Sequence, residues 1–453
     1  MTLERDCYER LLQWKASPRR KPLLLRGARQ VGKTWLLRAL GQRAYSSCLY
    51  LNFEEDPRLA GLWEGALDPA TILGNLALYK GVEVVPGDTL VVLDEIQFCN
   101  AALNSLKYFA EEAPEIHVAA AGSLLGIRLS GDRSFPVGKV DLVDVHPLSF
   151  AEFLDAHGEP QLRALIQGRE TAEPLPDPLH ERLLEILRTY LFVGGLPEPV
   201  CVHSEGGSLQ EVREVQRSIL ESYHLDFAKH ASPSDIPKLS LIWESLPSQL
   251  ARENRKFMFS AVRPGARARE YENAVNWLVD AGLVHKAFQV STARIPLLAY
   301  ARTNVFKVYA LDVGLLCSMT RLPESALVEG ARILEEFRGA LTESYVAQQL
   351  VARDGGRLCY WSSSGGRAEV DFLLEEAGAV LPLEVKAGVN PRSKSLRSFQ
   401  QQFSPPVLTR ASTLNLRRDG DVLNVPLYAV WRFPELVLDS SRDGDSPVSE
   451  TGP

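Results

Sequence analysis

Short, unbroken apolar runs punctuate the first third of the chain. Leu23-Leu24-Leu25, Cys48–Phe53, Thr89–Leu93 and Ile116–Ala121 have the length and composition of strands covered on both faces, which predicts a parallel sheet between helices. The stripe Tyr8, Leu11, Leu12, Trp14 and the run Trp35–Leu40 have helical spacing, and the first of these predicts a helix leaning on that sheet. From Ala151 to about Pro178 the chain turns polar and proline-bearing, the pattern of a surface excursion. Helical periodicity returns over Leu183–Tyr190 and Val212–Tyr223, with Gly194-Gly195-Leu196-Pro197 as a turn between them. Leu239–Leu250 and Arg269–Asp280 predict further helices, and Gly282–Gln289 an extended segment. A helix from about 335 to 352 precedes two alternating stretches, Arg367–Glu375 and Val380–Lys386, joined around Ala377-Gly378 as a hairpin. From Phe433 onward the chain is rich in Ser, Asp, Gly and Pro, which predicts a disordered tail.

At 453 residues the chain is longer than one core organises, so roughly two to four domains are expected. An apolar content of 45% with 24% charged residues excludes a largely disordered protein. No apolar run reaches the ~20 residues of a spanning helix. The opening Met1-Thr2-Leu3-Glu4-Arg5-Asp6 lacks the basic start and apolar core of a signal peptide, so a soluble, cytoplasmic protein without membrane association is expected. The six cysteines are scattered without a C-x-x-C pair and read as reduced thiols. A net charge of −7 argues against a uniformly basic nucleic-acid binder. Residues 251–310 run the other way, with ten Lys/Arg against four acids. Such a segment can neutralise phosphates, or serve as a solvated face against an acidic neighbour.

The strongest chemical signal is Gly27-Ala28-Arg29-Gln30-Val31-Gly32-Lys33-Thr34, a full match to G-x-x-x-x-G-K-[ST] between a strand and a helix. Glycines at 27 and 32 let the backbone turn tightly and bring its N–H groups around a triphosphate. Lys33 is placed to reach the β- and γ-phosphates, Thr34 to ligate Mg²⁺, and the following helix adds its N-terminal dipole. Asp94 and Glu95 end an apolar strand, where acids face the ligand crevice of an open α/β sheet. Asp94 is the candidate for holding Mg²⁺ and Glu95 for polarising the attacking water. Ser123, after the next strand, is a candidate for the γ-phosphate or that water, or else an ordinary turn serine. The chain lacks an Asn-Lys-x-Asp guanine reader, which disfavours a GTPase.

Together with this loop, Leu93-Asp94-Glu95-Ile96-Gln97, Ala121-Gly122-Ser123 and Pro147-Leu148-Ser149-Phe150-Ala151-Glu152-Phe153 resemble the bacterial and archaeal AAA-type ATPases whose C-terminal half is a domain of undefined function related to restriction-type nucleases. The resemblance spans roughly residues 19–410 and implies ATP and Mg²⁺ as cofactors, with the helical region after Pro178 as a lid over the nucleotide. In that family a Gly-Arg pair before the Pro-Leu-Ser-Phe stretch supplies a γ-phosphate sensor. This chain has Gly138-Lys139, and lysine lacks the planar bidentate contact of a guanidinium. Arg128 and Arg133 are alternative sensors. The helices and extended segment of residues 237–300 are similar to a winged helix.

The C-terminal hairpin carries a second set of candidates. If it is symmetric about its turn, Asp371 faces Glu384 and Glu369 faces Lys386, all on one face of the sheet. Two opposed carboxylates repel, and a divalent cation is the simplest partner for them. Glu343 sits on the apolar stripe of the preceding helix. A helical Glu343, then Asp371, then Glu384-x-Lys386 resembles the order of PD-(D/E)xK nucleases, which implies metal ligation by Glu343, Asp371 and Glu384 and catalysis by Glu384 and Lys386. The alternative is a retained scaffold, with Glu369 paired to Lys386 and Asp371 to an arginine such as Arg367.

These readings predict an α/β fold: a P-loop parallel-sheet ATPase core over 1–155, a helical lid over 156–236, a winged-helix-like module over 237–300, a restriction-endonuclease-like α/β domain over 301–433 and a tail over 434–453. Two functions follow. One is an ATPase that couples nucleotide state to a nuclease-like domain acting on DNA or RNA. The other is an ATP-dependent switch whose C-terminal domain binds a protein partner without cutting. Oligomerisation is open in both.

Overall fold

The computed structural model describes residues 3–65, 67–123, 136, 138–169, 173–252, 255–321, 335–355, 357–388 and 393–437. Strands β1 (Leu23–Gly27), β2 (Ser47–Asn52), β3 (Thr89–Asp94), β4 (His117–Ser123) and β5 (Asp141–Asp144) form an all-parallel sheet in the order β2-β3-β4-β1-β5. The continuous apolar runs are explained by its two covered faces. Leu23, Leu25, Leu90 and Val92 point to one side, where they meet α1 (Cys7–Ala16) and α2 (Lys33–Ala44) through Leu11, Trp14, Leu36 and Leu40. Their neighbours Leu24, Val91 and Leu93 point to the other, against α3 (Pro69–Lys80) and α4 (Asn100–Glu112). Strand β5 has no counterpart among the apolar runs of the sequence because it is an edge strand, Asp-Leu-Val-Asp, with only Val143 fully buried.

The stretch expected as a surface excursion is instead packed. It holds α5 (Phe150–Ala156) and α6 (Pro160–Gln167), and Phe150, Phe153 and Leu154 are fully buried. Ser149 and Glu152 form a reciprocal capping box at the start of α5. Pro160 opens α6 at a position where a missing N–H costs nothing, so this proline marks a helix start rather than a loop.

Three helices follow: α7 (Asp177–Val193), α8 (Pro197–Ser204) and α9 (Leu209–His230). Then come α10 (Ile236–Leu250), the single turn α11 (Phe259–Val262) and α12 (Ala268–Asp280), leading into an antiparallel pair β6 (Val284–Val290) and β7 (Ala301–Ala310). The remainder comprises α13 (Val313–Met319), α14 (Glu335–Asp354), β8 (Leu358–Ser362), β9 (Glu369–Glu376), β10 (Ala379–Val385), α15 (Lys394–Phe403), β11 (Leu408–Ser412), β12 (Arg417–Asp419) and β13 (Val422–Pro426). Strands β6 and β7 do not stand apart as a wing. They continue a mixed eight-stranded sheet, β12-β13-β11-β10-β9-β8-β6-β7, through the parallel pairing of β6 with β8. The division expected at 300/301 therefore falls between the two strands of one hairpin.

The C-terminal hairpin has the expected register, with Val380 opposite Glu375 and Leu383 opposite Phe372. Pro382 sits inside β10 opposite Leu373. The start of the expected tail is packed instead, with Phe433, Leu436 and Val437 buried in the C-terminal core; the rest of the stretch, 438–453, lies outside the described residues.

One buried carboxylate joins the two halves. Asp312, 1% exposed, caps α13 by accepting from the Leu315 N–H at 3.0 Å and accepts from the Gly195 N–H at 2.7 Å and Gln348 Nε2 at 3.1 Å. Burial pushes its pKa up, while these hydrogen bonds pull it back. Removing the carboxylate strands buried donors on the Gly194-Gly195 turn, α13 and α14 together. Asp312→Ala is expected to lower unfolding free energy by about 3 kcal/mol, with Asp312→Asn losing less because it keeps an acceptor; urea midpoints of the three proteins check this.

Candidate functional site

The phosphate loop leaves β1 at Gly27 and enters α2 at Lys33. A Cβ on Gly27 would lie 2.3 Å from the Val145 carbonyl oxygen, so no larger residue fits between β1 and the chain leaving β5. Gly32 holds φ 96° just before the helix, and Gln30 holds φ 65°, a positive value that the sequence alone does not announce. Ala28 and Val31 are buried beneath the loop, and Thr34 lies in the first turn of α2. Lys33 is only 7% exposed and its Nζ donates to the carbonyls of Gly27 at 3.1 Å and Ala28 at 2.7 Å. Burial pulls its pKa down to about 8, against the opposing pull of Glu95 and Asp94.

Asp94, at the C-terminal end of β3, is 1% exposed; its carboxylate accepts from Tyr50 Oη at 2.6 Å and from the Glu95 N–H at 3.0 Å. Glu95 sits at φ 51° with its side chain bonded to Gln97 Nε2. Burial raises the Glu95 pKa, while the Gln97 bond and Lys33 lower it. The structure thus brings Lys33, Thr34, Asp94 and Glu95 to the same sheet edge. The glycine cradle and the buried acid at the neighbouring strand end suit an anion such as a phosphate, and Thr34 and Asp94 are the residues that could hold Mg²⁺ with it.

Ser123 ends β4 in register with Gly27, which places its backbone at that edge as well. Lys139 is elsewhere. It precedes β5, at the opposite edge of the parallel sheet, and pairs with Glu111 near the end of α4 at 2.9 Å. It cannot reach a nucleotide on its own chain's phosphate loop. Arg128 and Arg133 lie outside the described residues.

Three contacts on the loop come from residues that sequence motifs did not mark. Arg5, 7% exposed, donates to the Val31 carbonyl at 3.0 Å while its Nε binds Glu152 at 3.0 Å, tying the loop to the Pro-Leu-Ser-Phe stretch. Helix α9 grips Arg29 twice: Asp226 takes its guanidinium at 2.8 Å, and Tyr223 Oη donates to its carbonyl at 3.1 Å. A lone arginine before α1 and an acid in a polar helix carry no local signal; only their long-range partners reveal them.

The C-terminal candidates are brought together, but not as a metal site. Lys307 on β7, fully buried, places Nζ 2.9 Å from Glu343, 2.7 Å from Glu369 and 3.6 Å from Asp371. Arg255 and the Tyr309 hydroxyl also engage Glu343. Glu384 pairs with Lys386 at 2.8 Å instead. The pairings expected for a scaffold are therefore replaced: Glu369 takes Lys307, not Lys386, and Asp371 takes Lys307 and the Val385 N–H at 2.8 Å, not Arg367. Burial raises the Glu384 pKa, partly offset by Lys386. No group of three His, Cys, Asp or Glu among the described residues is arranged to hold a metal ion. The residues do not fit the metal that their order implied.

Comparisons with known proteins divide the chain into three stretches. Residues 19–154 match the family described as an AAA domain, so an AAA-type domain forms the N-terminal part of the chain. Residues 184–326 and 338–429 each match a domain of unknown function, DUF8612 and DUF4143 respectively. No curated protein matches the chain. Among solved structures, the Orc1 protein of Aeropyrum pernix in complex with DNA is 14% identical at a TM-score of 0.30, covering 72% of this chain and 95% of its own. Cdc6p from Pyrobaculum aerophilum is 14% identical at 0.24, covering 71% and 92%. Likeness at this level adds nothing to the fold described above. No helix among the described residues is long and apolar enough to cross a membrane.

The lowered Lys33 pKa makes stability depend on pH. The folded lysine releases its proton near pH 8, while the unfolded lysine keeps it to its ordinary 10.5. The unfolded state then binds more protons in that window, so stability rises as pH rises through it, by up to about 3 kcal/mol from this group. Denaturation midpoints of the nucleotide-free protein at pH 7.5–10 are expected to show this rise, and Lys33→Met to flatten it.

Proposed function

We propose that the protein binds ATP with Mg²⁺ at its phosphate loop, hydrolyses it, and transmits the state of that site to its C-terminal half. Lys33 contacts the β- and γ-phosphates after leaving the carbonyls of Gly27 and Ala28. Thr34 and Asp94 hold Mg²⁺, which when bound neutralises phosphate charge. Glu95 orients and polarises the attacking water, with Ser123 as its neighbour at the strand end. The AAA-domain match of residues 19–154 and the convergence of these groups on one sheet edge support this reading.

The observation that carries the coupling is the double grip of α9 on Arg29, inside the phosphate loop. A shift of the loop toward phosphate changes what Asp226 and Tyr223 hold. Helix α9 contacts α8 and α13, and α13 is capped by the carboxylate that also holds the Gly194-Gly195 turn. A displacement of the lid is thereby passed to the base of the eight-stranded sheet.

A second reading concerns the partner of that output. Arg252, Arg263, Arg267 and Arg269 are exposed around α11 and the start of α12, and none makes an ion pair with another described residue. Four such guanidinium groups suit the phosphate backbone of DNA or RNA without reading bases. A protein partner with an acidic face is the alternative.

Phosphate-release assays test the first reading. Lys33→Ala is expected to lose ATP binding and hydrolysis together, while Glu95→Gln keeps binding and loses about 100-fold in turnover. Hydrolysis undiminished in Lys33→Ala would overturn it. For the second, Arg263→Glu with Arg267→Glu is expected to weaken DNA binding across all sequences and to flatten its salt dependence by about two charges, read by fluorescence anisotropy at several ionic strengths.

A further inference from the structure

The acids of the C-terminal sheet raise a question that the nucleotide site does not answer: what neutralises them. Glu343 on α14 is fully buried, and Glu369 and Asp371 on β9 are mostly so. Three carboxylates around one point repel strongly unless a cation stands between them. An ammonium group has three N–H donors, and Lys307 Nζ has three carboxylates around it, at 2.7, 2.9 and 3.6 Å. Its stem is held in the sheet by the pairing of Lys307 with Ala287, and the Tyr360 ring lies 5.0 Å from the charge. A divalent ion ligated by the same oxygens at roughly 2.0–2.6 Å would need the space the ammonium fills. The remaining acid of the set is drawn off: Glu384 bonds Lys386 at 2.8 Å.

We propose that Lys307 is a tethered cation standing in the place of a metal, so that the acid cluster is a built-in, metal-independent joint between β7, α14 and β9. Arg255, on the segment leaving α10, supplies the second positive charge to Glu343 and ties the helices before the sheet to the same point. Three acids against two bases leave the cluster nearly neutral with no ion from solution. The C-terminal half is then assembled around a salt-bridged core face instead of a cleavage centre. This inference does not depend on ATP binding and fails or holds separately from it.

The test is divalent-ion binding to the full-length chain without nucleotide, with Mn²⁺ as the probe, by electron paramagnetic resonance of free Mn²⁺ and by thermal denaturation. Wild type is expected to show no binding that Asp371→Asn removes, and no change in melting temperature that depends on Asp371. Lys307→Met frees the acids and is expected to bind Mn²⁺ at least about tenfold more tightly than wild type, because affinity follows the net charge of the ligand set. Mn²⁺ should also raise its melting temperature, and Lys307→Met with Asp371→Asn should lose both gains. Lys307→Arg, which keeps the charge, should behave as wild type. Mn²⁺ binding by wild type that disappears in Asp371→Asn overturns the proposal, as does a folded Lys307→Met with unchanged affinity. If Lys307→Met fails to fold even with Mn²⁺, the comparison of wild type with Asp371→Asn decides alone.

Discussion

A carboxylate sealed away from water must have its oxygens occupied, and the placement of both halves of this chain follows from how Asp312 meets that demand. Its donors come from Gly195 in the turn after α7, from Leu315 in α13 and from Gln348 in α14. The turn can approach so closely only without a side chain at 195, where a Cβ would fall 2.1 Å from the Leu148 carbonyl oxygen. That same carbonyl accepts from Tyr190 Oη at 2.6 Å, and Tyr190 Oη in turn receives Gln348 and Gln349. The Pro-Leu-Ser-Phe stretch, α7 with the turn after it, and α14 are therefore fixed to one another by a single buried polar network. Such a network is stable when complete and costly when any member is lost, so relative movement of the halves proceeds through it rather than around it.

This places the phosphate loop and α9 in one mechanical unit. Arg5 pins the loop at Val31, and its partner Glu152 also caps α5, which starts two residues after Leu148. On the other side, Asp226 and Tyr223 hold Arg29. The loop is thus clamped from the Pro-Leu-Ser-Phe stretch and from α9, and both clamps lead to Asp312's surroundings. The desolvated Lys33, held by backbone carbonyls, is the element of this assembly with most to gain from an arriving anion.

What was legible in the sequence is what is local. The phosphate loop, Asp94 and Glu95 occupy strand ends whose apolar runs identify a doubly covered sheet. The register of the β9–β10 hairpin follows from its turn and its alternation. What escaped is non-local. Phe150, Phe153 and Leu154 carry a helical stripe, but Pro160 and the polar residues around it give the same stretch the local pattern of a loop, and only the distant partners of the stripe decide between the two. The edge strand β5 is too short and too polar to register. The pairing of β6 with β8 joins residues some seventy positions apart, so a hairpin that continues the C-terminal sheet has the same sequence pattern as a free wing.

Opposed carboxylates on one face require a cation. Its identity is another matter, because an ammonium from an adjacent strand and a divalent ion satisfy the same electrostatic demand. Lys307 and Arg255 are two of the ten basic residues of segment 251–310. Both are spent internally on Glu343, which reduces the segment's local excess from six to four available charges. Two features that the sequence presents separately, a metal-like acid set and a basic patch, are thus partly one feature. The exposed arginines of the segment are Arg252, Arg263, Arg267 and Arg269 around α11 together with Arg294 and Arg302, and the acids around Lys307 are architecture.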